Sequence, residues 1–132
     1  MNKTYNPTTV APPSGYSHAV EIGPSSRILH LAGQLGVASD GALAKDIRGQ
    51  TELVWTYIRN VLAAAGMELT DIVKMNHYLL RKEDIAPYRE VRSKFLGEHK
   101  PAGTLLIVAA LGRDGALVEV EVVAARSIAS PA

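Results

Sequence analysis

The chain contains no cysteine. This absence excludes disulfide bonds, thiolate nucleophiles and zinc or iron–sulfur sites that are ligated by cysteine. Aromatic residues are also scarce, with five Tyr, one Trp and one Phe among 132 residues. The core must therefore be built mainly from Val, Leu, Ile and Ala. A chain of this length is typical of one globular domain, so we expect a single domain over residues 1–132.

A strong charge of either sign is missing as well. Fourteen Lys and Arg residues against thirteen Asp and Glu residues leave a formal charge of +1. This balance gives no electrostatic reason to expect nucleic acid or an anionic membrane as the main partner. The chain also has no apolar run of about 18 residues and no apolar segment after a basic start. We therefore expect a soluble cytoplasmic protein.

The first part of the chain is rich in turn-forming residues. Three prolines precede residue 16, and proline lacks the N–H that a helix or a strand ladder needs. Residues 1–15 are therefore expected to form an extended or irregular arm. Alternating residues at 15–22 and an apolar run at 28–32 predict two strands that pair with each other. Residues 33–41 are expected to form a loop.

Two helices and three further strands are predicted downstream. Apolar residues recur at helical spacing over residues 47–65, with Asp46 as the N-terminal cap and Gly66 as the stop. Residues 71–80 predict a central strand because they are apolar on both faces. A second helix begins at Glu83 or Asp84 and is closed by Gly97. Two strands follow at residues 104–111 and 117–125.

The element order is thus β-β-α-β-α-β-β, which predicts an α+β fold with two helices on one face of a single sheet. No third helix is available to cover the other face. Because the strand at 104–111 is almost wholly apolar, we expect this face to be buried by self-association.

Metal and nucleotide sites are not expected. The four histidines are far apart and no pair has ligand spacing on a helix. The segment Gly33-Gln34-Leu35-Gly36 lacks the spacing of a dinucleotide loop or a phosphate loop. The sequence therefore predicts no cofactor.

Two pairs of charged residues are candidates for chemistry. Glu119 and Glu121 project from one face of a strand, about 6–7 Å apart. Their spacing favours a solvent-exposed strand face. The alternative is that one of the two carboxylates lies in a pocket, where a raised pKa would suit it to proton transfer. Arg89 and Arg92 share a helix face and could bind a carboxylate or phosphate together. The alternative is a solvated helix with local ion pairs.

Five short motifs, in order and at consistent spacing, resemble the Rid family of reactive-intermediate deaminases, which also carries endoribonuclease and translation-inhibitor labels. These are APPSGYSHA at residues 11–19, AGQ at 32–34, VLAAAG at 61–66 with DIVK at 71–74, PA at 101–102, and LVEVE at 117–121. The resemblance covers roughly residues 7–126. It implies a chorismate-mutase-like homotrimer with a central β-barrel and three small-molecule pockets at the subunit interfaces. It also implies hydrolysis of enamines and imines such as 2-aminoacrylate, without a cofactor.

By the same resemblance, Glu119 would position or activate the water, and Tyr16 would line the pocket. Gly33 and Leu105 would supply backbone contacts, with Thr104 beside them. One departure concerns the anchor for the substrate carboxylate: deaminating members have an arginine directly after Pro-Ala, where this chain has Gly103. A glycine cannot form that bidentate contact.

Other departures lie nearby. Leu105 stands where the family often has cysteine, Arg89 where it often has Asn, and Arg92 where it often has an aromatic residue. Arg89 or Arg92 could therefore replace the missing anchor for a larger or differently shaped acid, and 2-aminoacrylate is then not the expected substrate. The alternative is a metabolite-binding or regulatory trimer without catalysis. Endoribonuclease activity rests on the family label alone, and the near-neutral charge opposes it.

Overall fold

The structure is a computed structural model, and it describes residues 1–128. The N-terminal part contains four short strands: β1 (Lys3–Tyr5), β2 (Ala19–Glu21), β3 (Ser26–His30) and β4 (Gln34–Leu35). Helix α1 (Ile47–Ala64) and strand β5 (Ile72–Leu79) follow. Helix α2 (Ile85–Leu96), strand β6 (Ala102–Ile107) and strand β7 (Val118–Ser127) complete the described elements.

One mixed sheet organises the fold. Its strand order is β3-β7-β5-β6, with β4 also paired to β7. Strand β7 is antiparallel to β3, β4 and β5, whereas β5 and β6 are parallel. The central position predicted for β5 is confirmed, and β6 lies at an edge of the sheet.

Both helices pack on the same face of this sheet, as predicted. Side chains of α1 and α2, including Trp55 and Tyr88, form one core with alternate residues of β5 and β7 such as Met75 and Val120. The N-terminal cap of α1 is confirmed, because the Asp46 carboxylate accepts a 2.8 Å hydrogen bond from the Gly49 N–H. Helix α2 ends at Gly97, whose φ of 55° is a conformation that favours glycine.

Alternation along β7 separates the two faces of the sheet. Val118, Val120 and Val122 are buried against the helices, while Glu119 and Glu121 point to the opposite, open face. On this face β7 lies beside β5, so Glu119 is opposite Tyr78 and Glu121 is opposite Asn76.

Three predictions about strands are corrected by the structure. The segments at 15–22 and 28–32 do not pair with each other: β2 pairs with β1, and β3 pairs with β7. The chain turns between them at Pro24 and Ser25, where Ser25 has a φ of 54°. The start of the arm is therefore a short strand. Just before this strand, Asn2 Nδ2 donates a 2.9 Å hydrogen bond to the carbonyl oxygen of Ala125 near the end of β7.

The other two corrections concern β4 and β6. Residues 33–36, expected as loop, contain β4, which pairs Gln34 with Val120 and Leu35 with Glu119. After β3 the chain continues alongside β7, so β3 and β4 both pair with this one strand. The apolar run at 104–111 is a strand only as far as Ile107, and it begins earlier, at Ala102. Ile107 is paired with Leu79, the last residue of β5, so the pairing of the two strands ends there.

Candidate functional site

The residues singled out from the sequence fall into two groups on opposite faces of the main sheet. Glu119 and Gly33 lie together on the open face. The other six line a pocket on the helix side, at the edge formed by β6; they are Tyr16, Arg89, Arg92, Gly103, Leu105 and Thr104. The Thr104 side chain itself points to the open face, where it accepts a hydrogen bond from Lys74. Within one chain, the carboxylate is therefore separated from the arginines by the sheet.

Glu119 packs directly on the backbone of Gly33. The pairing of β4 with β7 brings Gly33 so close that a Cβ atom at this position would overlap the Glu119 carboxylate. Only glycine fits there without displacing the carboxylate side chain. The AGQ motif and the LVEVE motif, whose Gly33 and Glu119 are 86 positions apart in the chain, thus form one structural unit.

Glu119 and Glu121 have different hydrogen-bond partners. The Tyr78 hydroxyl donates a 2.6 Å hydrogen bond to Glu121 Oε1, and this hydrogen bond raises the pKa of Tyr78. Asn76 Nδ2 also donates to Glu121 Oε1, at 3.4 Å. Within residues 1–128, no side chain donates a hydrogen bond to the Glu119 carboxylate. Of the two carboxylates, Glu119 is thus the one whose oxygens are available to a ligand or water.

The pocket on the helix side has a volume of about 260 Å³. Besides the six residues above, it is lined by Ser14, Met75 and His77. Two guanidinium groups border it and no carboxylate does. Such a lining favours an anionic ligand. The resemblance did not imply that both arginines reach one pocket; their spacing on α2 only indicated that they share a face.

Arg92 is the more buried of the two cations. It is only 8% exposed, and no carboxylate of residues 1–128 lies within 4.0 Å of it. Burial lowers its pKa, and its Cζ lies 5.9 Å from the centre of the Tyr88 ring. A cation–π contact of this kind compensates only part of the cost of burying a charge. A bound anion would supply the missing counter-charge. Arg89 is exposed at the pocket mouth.

The sequence analysis missed a buried pair, His77 and Tyr88. His77 is 2% exposed on β5, and its Nδ1 is hydrogen-bonded to the hydroxyl of Tyr88 on α2. Burial lowers the pKa of His77 to about 3, and the nearby charges of Arg92, Arg89 and Lys74 act in the same direction. The imidazole is therefore neutral at physiological pH. Its position between Met75 and Leu79, on the buried face of a central strand, was a signal that the sequence contained.

Three further features concern a second cavity, metal binding and membrane spans. A larger cavity of about 670 Å³ lies between β1, the end of β7 and His99, and none of the candidate site residues lines it. Among residues 1–128, no three His, Asp or Glu side chains are grouped so that they could hold a metal ion. No helix in this part of the chain is both long and apolar enough to cross a membrane.

The fold and the pocket define a small α+β protein with an arginine-lined site at the edge of its sheet. The family model described as Endoribonuclease L-PSP matches residues 7–126. The chain belongs to this family, which is the Rid family, and the resemblance stated from the motifs is confirmed.

Two relatives and one solved structure illustrate the similarity. The crystal structure of a Rid-family protein of unknown function, YyfB from Yersinia pestis, matches with a TM-score of 0.83 and 32% identity, covering 93% of this chain and 97% of that one. A RutC family protein of Pyrococcus horikoshii is 37% identical over 111 residues, 83% of this chain and 85% of that protein. The 2-iminobutanoate/2-iminopropanoate deaminase of Dermatophagoides farinae is 29% identical over 117 residues, 87% of this chain and 88% of that protein. The family thus includes imine deaminases.

Proposed function

We propose that this protein is a cytoplasmic hydrolase that acts on small anionic imines or enamines and releases ammonia. The observation that carries the proposal is the pocket in which Arg89 and Arg92 meet without a neighbouring carboxylate. A substrate carboxylate would pair with Arg92 and, at the mouth, with Arg89. Gly103 leaves open the space that a side chain would occupy beside Met75 and His77.

The chemistry requires little beyond positioning and proton transfer. An enamine first tautomerises to the imine, a water molecule adds across the C=N bond, and the resulting carbinolamine expels ammonia to leave a 2-oxo acid. Glu119 would accept a proton from the attacking water and return it to the departing nitrogen. No cofactor is part of this proposal.

The proposal includes a homotrimer with a pocket at each subunit interface. Glu119 and the arginines lie on opposite faces of the sheet in one chain. A second copy that presents its Glu119 and Gly33 to the β6 edge would complete the site. The open face has exposed apolar side chains, Ile28 and Leu106, that such an assembly would cover.

Glu119 and Glu121 provide a matched pair of variants for testing the activity. Imines are generated in situ by a dehydratase, starting with 2-aminoacrylate and including bulkier 2-imino acids, and ammonia release is followed. We expect acceleration over the spontaneous rate with the bulkier 2-imino acids rather than with 2-aminoacrylate, and a loss of about 10²-fold or more in Glu119→Gln. Glu121→Gln should retain activity, because the Glu121 carboxylate is engaged by Tyr78.

Other outcomes would point elsewhere. Full activity in Glu119→Gln would remove this carboxylate from the mechanism. No acceleration across the panel, combined with retained binding of 2-oxo acids, would mean a metabolite-binding trimer without catalysis. Cleavage of RNA by the wild-type protein, lost in the same variants, would support the endoribonuclease activity that the family description names.

A further inference from the structure

We propose that His77 is a specificity-determining residue of the arginine-lined pocket, where its Nε2–H donates a hydrogen bond to the carbonyl oxygen or imine nitrogen of a small 2-oxo or 2-imino acid. Arg92 would hold the carboxylate of the same ligand. The inference rests on the proposed function in one respect, which is that this pocket binds the ligand.

The position of the imidazole supports this role. His77 lies on the helix-facing side of β5 and lines the pocket. Across the parallel β5–β6 pair, Leu105 is the partner of His77 and Gly103 is the partner of Met75. An added Cβ at Gly103 would lie 3.6 Å from His77 Nε2. Since glycine has no side chain, the Nε2 edge faces the pocket rather than another residue. Nε2 makes no hydrogen bond within residues 1–128.

Tyr88 determines which ring nitrogen carries the proton. Burial raises the pKa of Tyr88 far above its ordinary value, so the phenol keeps its hydrogen. Within residues 1–128, His77 Nδ1 is the only hydrogen-bond partner of the Tyr88 hydroxyl. The Trp55 indole N–H has no partner there. If Nδ1 carried the ring hydrogen, the buried phenol hydrogen would have no acceptor, so the Tyr88 hydroxyl donates to His77 Nδ1. The imidazole hydrogen is therefore on Nε2, at the pocket.

The charge around His77 defines the kind of contact it can make. Arg92 and Arg89 line the pocket with His77, whereas Lys74 lies on the opposite face of the sheet. Burial and these three charges keep the ring neutral. A neutral ring adds a directional donor and no further positive charge. The pocket then has two distinct parts: guanidinium groups for a carboxylate and an imidazole N–H for an adjacent acceptor. This arrangement fits a 2-oxo acid better than a plain carboxylic acid.

Two acids that differ only in that acceptor test the contact. Binding of 2-oxobutanoate and butanoate to the full-length protein is measured by titration calorimetry. We expect the wild-type protein to prefer 2-oxobutanoate about tenfold, the value of one net hydrogen bond. His77→Leu should bind both acids equally, whereas His77→Gln, which places an amide N–H near the Nε2 position, should restore part of the preference. Arg48→Gln, in an exposed residue that does not line the pocket, should leave the preference unchanged.

A measurement on the wild-type protein keeps the test independent of how the variants fold. Nitrogen-15 NMR of the imidazole should report the tautomer with hydrogen on Nε2, and 2-oxobutanoate should shift this signal more than butanoate does. In Tyr88→Phe, the preference for this tautomer should be lost. Hydrogen on Nδ1 in the wild-type protein would overturn the inference, as would a preference for 2-oxobutanoate that survives in His77→Leu.

The two proposals fail in different ways. Binding of both acids without discrimination by the wild-type protein would overturn the role of His77 and leave the anionic pocket in place. Binding of neither acid would overturn both.

Discussion

At the scale of single residues, Glu119 and Glu121 show how identical side chains two positions apart acquire different properties. Spacing on a strand predicted that both carboxylates point to one face, and they do. The difference between them comes from the neighbouring strands: Tyr78 of β5 donates to Glu121, and Glu119 lies on Gly33, just before β4. These partners are 40 or more positions away in the chain. A local pattern cannot identify them, because they depend on the strand order and register of the whole sheet.

The neutral state of His77 has a consequence for stability. The folded protein holds the pKa of His77 at about 3, below the ordinary value of 6.5. As the pH falls, the unfolded chain therefore takes up a proton first. The stability contributed by the neutral ring is complete above about pH 6.5 and is lost progressively as the pH falls toward 3.

We therefore expect an acid-dependent difference between the wild-type protein and His77→Gln. Between pH 6 and 4, the free energy of unfolding of the wild-type protein should fall more steeply, by about 1.4 kcal/mol per pH unit. Chemical denaturation at several pH values measures this difference. His30→Gln removes an exposed histidine on β3 and should follow the wild-type slope. Equal slopes for the wild-type protein and His77→Gln would contradict the prediction.

At the scale of elements, α2 combines two functions. Its buried side places Tyr88 and Arg92 next to the core, and its N-terminal half carries Arg89 to the pocket mouth. The three-residue spacing predicted that the arginines share a face. It could not show that this face meets a pocket, because the opposite wall is formed by β6 and by the segment from Ser14 to Tyr16. The pairing of β1 with β2 was missed for a similar reason, since a strand of three residues has almost no periodicity.

The different burial of the two arginines predicts unequal effects on binding. In Arg92→Gln, the affinity for 2-oxobutanoate should fall by about 10- to 100-fold, because a charged hydrogen bond in a partly desolvated site is lost. Arg89→Gln should have a smaller effect that weakens with added salt, since Arg89 is exposed. Titration calorimetry at two salt concentrations measures both.

Arg48 provides the control for these variants. It is paired with Glu90 at 2.7 Å on the outer surface and does not line the pocket. Arg48→Gln should bind 2-oxobutanoate like the wild-type protein. Unchanged affinity in both Arg89→Gln and Arg92→Gln would mean that these arginines do not bind the ligand and are only part of a solvated helix face.

At the scale of the whole molecule, the sheet separates the two parts of the candidate site. The self-association expected from the sequence rested on the apolar run at 104–111, which in the structure is a strand only to Ile107. The open face is in fact mixed, with Lys74, Asn76 and Thr104 beside exposed apolar residues. The stronger reason to expect an assembly is the position of Glu119, which no pattern of apolar residues could indicate.

Mixed oligomers test whether the site is shared between copies. Glu119→Gln and Arg92→Gln should each be nearly inactive when assayed separately. After the two proteins are unfolded together and refolded in equal amounts, about a quarter of the pockets should combine an intact Glu119 with an intact Arg92 from the neighbouring copy. We expect about a quarter of the wild-type activity, and sedimentation should give the mass of three chains. Activity no greater than that of the separate variants would mean that each chain forms its own complete site.

The pocket has Leu105 at the position where the family often has cysteine, and this affects its resistance to chemical modification. No thiol exists anywhere in the chain, and the sulfur that lines the pocket is the thioether of Met75. Oxidants have no thiolate here to convert to a sulfenic acid, and electrophiles have no thiolate to alkylate. The guanidinium and imidazole groups that line the pocket are unaffected by the thiol redox state of its surroundings. It would also resist self-inactivation by the reactive compounds that it is proposed to remove.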